Sequence, residues 1–168
     1  ILAEKKYEVN GEKCFYFSEL FLECRAPLSQ KSKLDIVTRA VDQVAKKYYG
    51  DENAQKKMEI KDIICNELEE QGEIKVSELR EKVFPGSPEM LEELDEKLDR
   101  YNLSYETVAP KNEQTIKKFQ KQKLYTDTGI EITIPMEEYR NPDHVEFITN
   151  MDGTISVLIK NIGMLSSK

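Results

Sequence analysis

The chain has 168 residues, 39% of them hydrophobic and 34% charged, and carries a formal net charge of −7. This length holds one compact domain or two small ones, and the composition is that of a globular protein rather than a disordered one. No apolar run approaches the roughly 20 residues that a membrane span needs, and the acidic total argues against a uniform nucleic-acid coat, which requires clustered Lys and Arg.

Ile1-Leu2-Ala3 is followed directly by Glu4-Lys5-Lys6, which does not make a secretory signal, and the first residue is not Met. An intracellular chain lacking an N-terminal part is expected, with residues 1–30 as a remnant or connector from it. Tyr7-Glu8-Val9, the turn signal Asn10-Gly11 and Cys14-Phe15-Tyr16-Phe17 read as a hairpin entering a partly buried strand. Ser18 to Cys24 is apolar and ambiguous.

Residues 31–110 form the helical region. Ser32 with Asp35 gives a capping signal, and Leu34, Val37, Val41, Val44, Ala45 and Tyr48 recur at helical spacing until Gly50. Asp51 is placed to cap a second helix, whose stripe Ile60, Ile63, Ile64 and Leu68 runs to Gly72. These two helices are expected to pack as an antiparallel pair.

The next stretch has a winged-helix-like rhythm. Ile74-Lys75-Val76 is extended, Ser77 caps Glu78 to Phe84, Pro85-Gly86 breaks the chain, and Ser87-Pro88-Glu89 opens another helix. A recognition helix at this place would carry Glu89, Glu92, Glu93, Asp95, Glu96 and Asp99 against only Lys97 and Arg100, and would be repelled by phosphates. Its stripe Met90, Leu91, Leu94, Leu98 and Tyr101 has core spacing, so the segment is read as structural or as a protein-binding surface. Leu103 to Val108 alternates like a strand.

Residues 111–168 read as a basic helix followed by an antiparallel sheet. Lys111, Lys117, Lys118, Lys121 and Lys123 are opposed only by Glu113. On a helix, Ile116, Phe119 and Gln120 would turn inward and the lysines would occupy neighbouring faces. Beyond Leu124, Ile130, Ile132 and Ile134 alternate with polar residues, as do Val145, Phe147 and Thr149, and Ile155, Val157 and Ile159. Met151-Asp152-Gly153 is a hairpin turn and Met136 to Tyr139 a helical turn between strands. The fold class is therefore α+β: a helical bundle with a winged-helix-like segment, then a small three-stranded antiparallel sheet.

Little in the sequence points to catalysis. His144 is the one histidine, placed after Pro142-Asp143 where a surface or capping role is ordinary. Cys14, Cys24 and Cys65 are odd in number and form no C-x-x-C pair, which predicts free thiols in a reducing compartment and no zinc site. Asp127 and Glu131 beside Lys123 admit a metal-dependent nuclease reading, against the plainer one of a turn Asp before Gly129 and an outward Glu. No glycine-rich phosphate loop occurs, and no cofactor or metal is expected. Lys117, Lys118, Lys121 and Lys123 are the candidate nucleic-acid contacts; a solvated face is the bland alternative.

The wording of the sequence also resembles a known family. Leu124-Tyr125-Thr126-Asp127-Thr128-Gly129-Ile130-Glu131-Ile132, Pro135, Asn141-Pro142, Val145-Glu146-Phe147, Asn150, Asp152-Gly153-Thr154-Ile155 and Lys160-Asn161-Ile162-Gly163 resemble the ending of the bacterial nucleoid-associated protein family. Phe15-Tyr16-Phe17 to Phe21-Leu22, and Ser32 to Tyr48, resemble its middle. Family members are about twice this length, so the resemblance implies a C-terminal half. It further implies a cytoplasmic, nucleoid-located, non-enzymatic protein associated with double-stranded DNA, through this half or the missing one. A homo-oligomer is expected, because the sheet's second face, with Ile148 and Leu158, needs a cover. The alternatives are a protein-interaction or dimerisation module without direct DNA contact and, behind it, the nuclease.

Overall fold

The computed structural model describes residues 6–9, 12–15, 28–50 and 53–166. Strands β1 (Lys6–Val9) and β2 (Glu12–Phe15) pair antiparallel with Val9 opposite Glu12, which is the expected N-terminal hairpin. The Asn10-Gly11 turn, the apolar stretch from Ser18 to Cys24 and the Asp51 cap lie outside the described residues.

Helix α1 (Gln30–Tyr49) starts earlier than Ser32 suggested, because Ser29 is the N-cap and its hydroxyl accepts the Ser32 N–H at 3.1 Å. Gly50 ends the helix at φ 84°, a conformation most side chains resist. Helix α2 (Ala54–Glu70) is capped by Asn53, whose side chain accepts the Lys56 N–H at 3.0 Å. Strand β3 (Ile74–Lys75) leads into α3 (Val76–Val83), which has no side-chain cap; Ser77 lies inside that helix. Gly86, at φ 67°, turns the chain into α4 (Pro88–Asp99), with Ser87 as N-cap and Pro88 in the first turn. Strand β4 (Thr107–Val108) returns to pair antiparallel with β3, Ile74 opposite Val108, so α3 and α4 sit between two short paired strands.

These elements enclose a first core of Leu34, Val37, Ala40, Val41, Val44 and Ala45 from α1, Ile60, Ile64 and Leu68 from α2, and Leu79, Phe84, Leu94, Leu98 and Val108 among others. The expected stripes face it, save that Tyr48 and Tyr101 remain largely exposed at their ends. Ion pairs lock the surface: Lys47 meets Glu93 at 2.5 Å, Arg80 meets Asp95, and Lys82 meets the buried Glu67. The acidic face of α4 is thus partly neutralised by α1 and α3.

The second half departs from expectation in two ways. The basic helix is a single turn, α5 (Glu113–Lys117), closed when the Phe119 N–H bonds back to Ile116 at 2.9 Å. Residues 121–125 then form a strand, because Lys121, Lys123 and Tyr125 alternate with inward Gln122 and Leu124. The single three-stranded sheet is replaced by two separate hairpins: β5 (Lys121–Tyr125) with β6 (Glu131–Pro135), and β7 (Val145–Thr149) with β8 (Ile155–Ile159). β5 reaches β6 across the short Thr126–Ile130 turn, with Gly129 at φ 87°, while α6 (Met136–Tyr139) stands between β6 and β7 in the chain. Ile130, expected in a strand, is left exposed in that turn. Gly153 provides the positive φ of the β7–β8 turn, as expected.

A second core joins Ile134, Met136 and Val145 to Met58 and Cys65 of α2, with Phe119 packing against both cores. Met58 and Cys65 are seven residues apart and share a helix face, roughly a third of the circumference from the Ile60, Ile64 and Leu68 stripe. Helix α2 is therefore two-sided. Arg140 reinforces this junction, donating from Nε to Asp62 at 2.6 Å and from Nη1 to Glu69 at 3.0 Å.

Candidate nucleic-acid interface

The four candidate lysines are all exposed, but they divide between two kinds of element. Lys117 and Lys118 stand at the end of α5, whereas Lys121 and Lys123 project from the outer face of β5. They do not share one helix surface. Lys121 lies opposite Pro135 and Lys123 opposite Thr133, beside the largely exposed Tyr125.

Their electrostatic states also differ. Lys117 reaches Glu113 at 3.6 Å, and Lys123 donates to Glu131 at 2.6 Å. That hydrogen bond raises Lys123 above the ordinary lysine value and holds Glu131 below the ordinary carboxylate value. Among the described residues no carboxylate stands on Lys118 or Lys121. Four lysines against two carboxylates leave a local charge of +2 on a chain of net −7.

Sequence reasoning missed a cleft lined in part by lysines. A cleft of about 410 Å³ opens between α1, α2 and the start of β5, lined by Asp42, Lys46, Lys57, Ile60, Lys61, Ile64, Phe119 and Gln122. Lys61 donates to the Lys121 carbonyl at 2.6 Å and to Gln122 Oε1 at 2.9 Å. Burial lowers the Lys61 pKa and raises that of Asp42, the latter opposed by Lys57 and Lys61. The available signal was the four-residue spacing of Asp42 with Lys46 and of Lys57 with Lys61, but spacing within each helix does not say which faces meet.

The residues considered for catalysis are dispersed. His144 pairs through Nδ1 with Glu138 at 2.5 Å, at the surface. Asp127 is exposed, and Glu131 is occupied by Lys123. Among the described residues no three His, Cys, Asp or Glu side chains gather as metal ligands, and no helix is long and apolar enough to cross a membrane. Cys65 is fully buried, and burial, followed by the nearby Glu69, pushes its thiol up to about 11.

The model of the family described as nucleoid-associated protein YejK matches residues 2–164. The chain belongs to this family. The match takes in the N-terminal hairpin, both cores, the lysine segment and the two C-terminal hairpins, so the family's pattern extends over the acidic helices as well as the ending. Comparison with curated proteins and with solved structures gives no match.

Proposed function

We propose that this member of the nucleoid-associated protein YejK family works in the nucleoid by holding double-stranded DNA with little sequence preference, and that it binds rather than catalyses. The family match over residues 2–164 is the observation that carries this reading. Lys118 and Lys121 are assigned the principal phosphate contacts because they are exposed and lack carboxylate partners among the described residues; Lys117 and Lys123 contribute less because Glu113 and Glu131 already occupy them. Phosphate contacts by lysine position a duplex without reading its bases. Fluorescence anisotropy with unrelated duplexes over a range of salt tests the reading. Similar affinities that fall steeply with salt are expected, and a parent chain that binds no duplex at low salt refutes it.

A second reading, a self-association or protein-interaction module, is favoured by one specific observation. On β7–β8, Val145, Phe147 and Val157 turn toward the second core, while Ile148 and Leu158 on the opposite face stay 38% and 41% exposed. Ile162, Met164 and Leu165 beyond β8 add exposed apolar surface. Under this reading the chain forms a homo-oligomer through that face without disulfides. Sedimentation under reducing conditions tests it; only monomer at high concentration refutes self-association.

A further inference from the structure

The outer edge of β8 is open in a way that the edges of β5, β6 and β7 are not. The Lys160 N–H donates to the His144 carbonyl at 2.8 Å and the Asn150 N–H to the Thr154 carbonyl at 2.8 Å, which makes Ile148–Ser156 and Glu146–Leu158 the hydrogen-bonded pairs between β7 and β8. The N–H and C=O groups of Ile155, Val157 and Ile159 therefore point away from β7. Among the described residues nothing bonds to them. The same alternation turns Lys121, Pro135 and Val145 outward on the other three strands, and each of those edges is occupied or blunted. The Lys121 carbonyl accepts the Lys61 ammonium at 2.6 Å, the Val145 N–H bonds to the Asn141 carbonyl at 3.1 Å, and Pro135 has no N–H to offer. Side-chain charge divides the strands in the same way. β1, β2, β5, β6 and β7 each carry Lys or Glu, whereas β8 reads Ile155-Ser156-Val157-Leu158-Ile159, with neither charge nor proline. Such residues guard exposed edges, because an open row of N–H and C=O groups is a template for another strand. Ile155 and Ile159, at the two ends of β8, are 45% and 55% exposed.

We propose that two copies of this chain join edge to edge through β8, in antiparallel pairing about a two-fold axis at Val157. The strand is complementary to itself in that register. Ile155 of each copy stands opposite Ile159 of the other and Val157 opposite its counterpart, so the outward N–H and C=O groups all find partners. Leu158 then lies opposite Ser156 and Lys160 opposite Thr154, and no charge faces a like charge. The exposed Met151 turn of each copy comes near the exposed Ile162 of the other. Two hairpins, each marginal as a two-stranded sheet, become one continuous sheet of four strands. The proposal rests on the self-association reading and places its contact at the strand edge, beside the face that carries Ile148 and Leu158.

Sedimentation equilibrium of the whole chain under reducing conditions, joined to hydrogen exchange at low and high protein concentration, tests it. A concentration-dependent dimer is expected, in which the amides of Ile155, Val157 and Ile159 gain protection as the dimer forms, while those of Ser156 and Leu158, already bonded to β7, do not change. Ile155→Lys with Ile159→Lys sets lysine against lysine across the two-fold axis and should weaken dimerisation about tenfold or more. Ile155→Glu with Ile159→Lys sets glutamate against lysine and should restore most of the loss. Both double variants lose the same isoleucines, so the difference between them reports the pairing rather than damage to the fold. Ile148→Lys, on the far face of β7, should leave the dimer intact. A parent chain that stays monomeric at high concentration overturns both this proposal and the self-association reading. A dimer that Ile148→Lys abolishes and both double variants spare keeps self-association but overturns the β8 contact. Equal effects from the two double variants also overturn it, as do edge amides protected at every dilution, the result of another segment of the same chain lying along β8.

Discussion

If α2 serves two cores, removing a side chain from its less obvious face should loosen the C-terminal hairpins selectively. Met58 is the sharpest place to test this. It is fully buried, it packs with Cys65, Ile134, Met136 and Val145, and it lies off the Ile60, Ile64 and Leu68 stripe. Met58→Ala deletes three side-chain heavy atoms from a cluster with five buried side chains among the described residues, whereas the first core has eighteen among them. A small cluster has few neighbours able to collapse into the void, so a cost near the middle of the usual range, about 3 kcal/mol, is expected. Met58→Leu conserves volume and should cost under about 1.5 kcal/mol. Urea unfolding gives the magnitude, and hydrogen exchange locates it. Protection should fall most at Ile134 and Val145 and least at Leu98 and Val108, which belong to the first core. A loss below about 1 kcal/mol for Met58→Ala, or equal loss of protection in both regions, would refute the two-sided role of α2.

The Arg140 clamp makes a pH prediction. Burial alone would raise Glu69, but hydrogen bonds from Arg140, Gln120 and Cys65 hold it below its ordinary 4.5, so its stabilisation is present above that value and lost as pH falls through the folded-state pKa. Arg140→Gln should therefore cost about 1 kcal/mol at neutral pH and flatten the acid limb of stability, as followed by thermal unfolding across pH; an unchanged limb would count against the clamp. Cys65, with its thiol pushed up to about 11, should alkylate slowly in the native chain and quickly in denaturant, with peptide mapping separating it from Cys14 and Cys24. The raised value also makes folding oppose the thiolate, so stability should decline as pH rises above 9.0 toward that folded-state value. Lys118→Gln with Lys121→Gln should flatten the salt dependence of duplex binding by about two units, and Lys117→Gln with Lys123→Gln by clearly less. Equal effects from the two pairs would show that Glu113 and Glu131 do not screen their partners.

The sequence by itself determined what depends on near neighbours along the chain. The stripes of α1 and α4, the stop at Gly50, the break at Pro85-Gly86, the opening at Ser87-Pro88 and the turn at Gly153 follow from periodicity and backbone preference, and each recurs in the structure. Most of the order of helices and strands was legible for the same reason, but residues 111–123 were read as a basic helix and β5 (Lys121–Tyr125) was missed. Tertiary structure decided what depends on which elements meet. Hydrophobic period shows that a face is buried without naming its partner, so the second face of α2, with Met58 and Cys65, became visible only once β6, α6 and β7 packed on it. The expected three-stranded sheet divided into two hairpins, β5 with β6 and β7 with β8, a choice of neighbours that alternation along each strand cannot decide. Electrostatics followed the same rule. Lys117 and Glu113 were four residues apart on a helix, but the pairing of Lys123 with Glu131 required the strand register, and the cleft holding Lys46, Lys57 and Lys61 required α1, α2 and β5 to converge. Charge is counted along a chain, but its effect is set by distances in space, and those are fixed by packing.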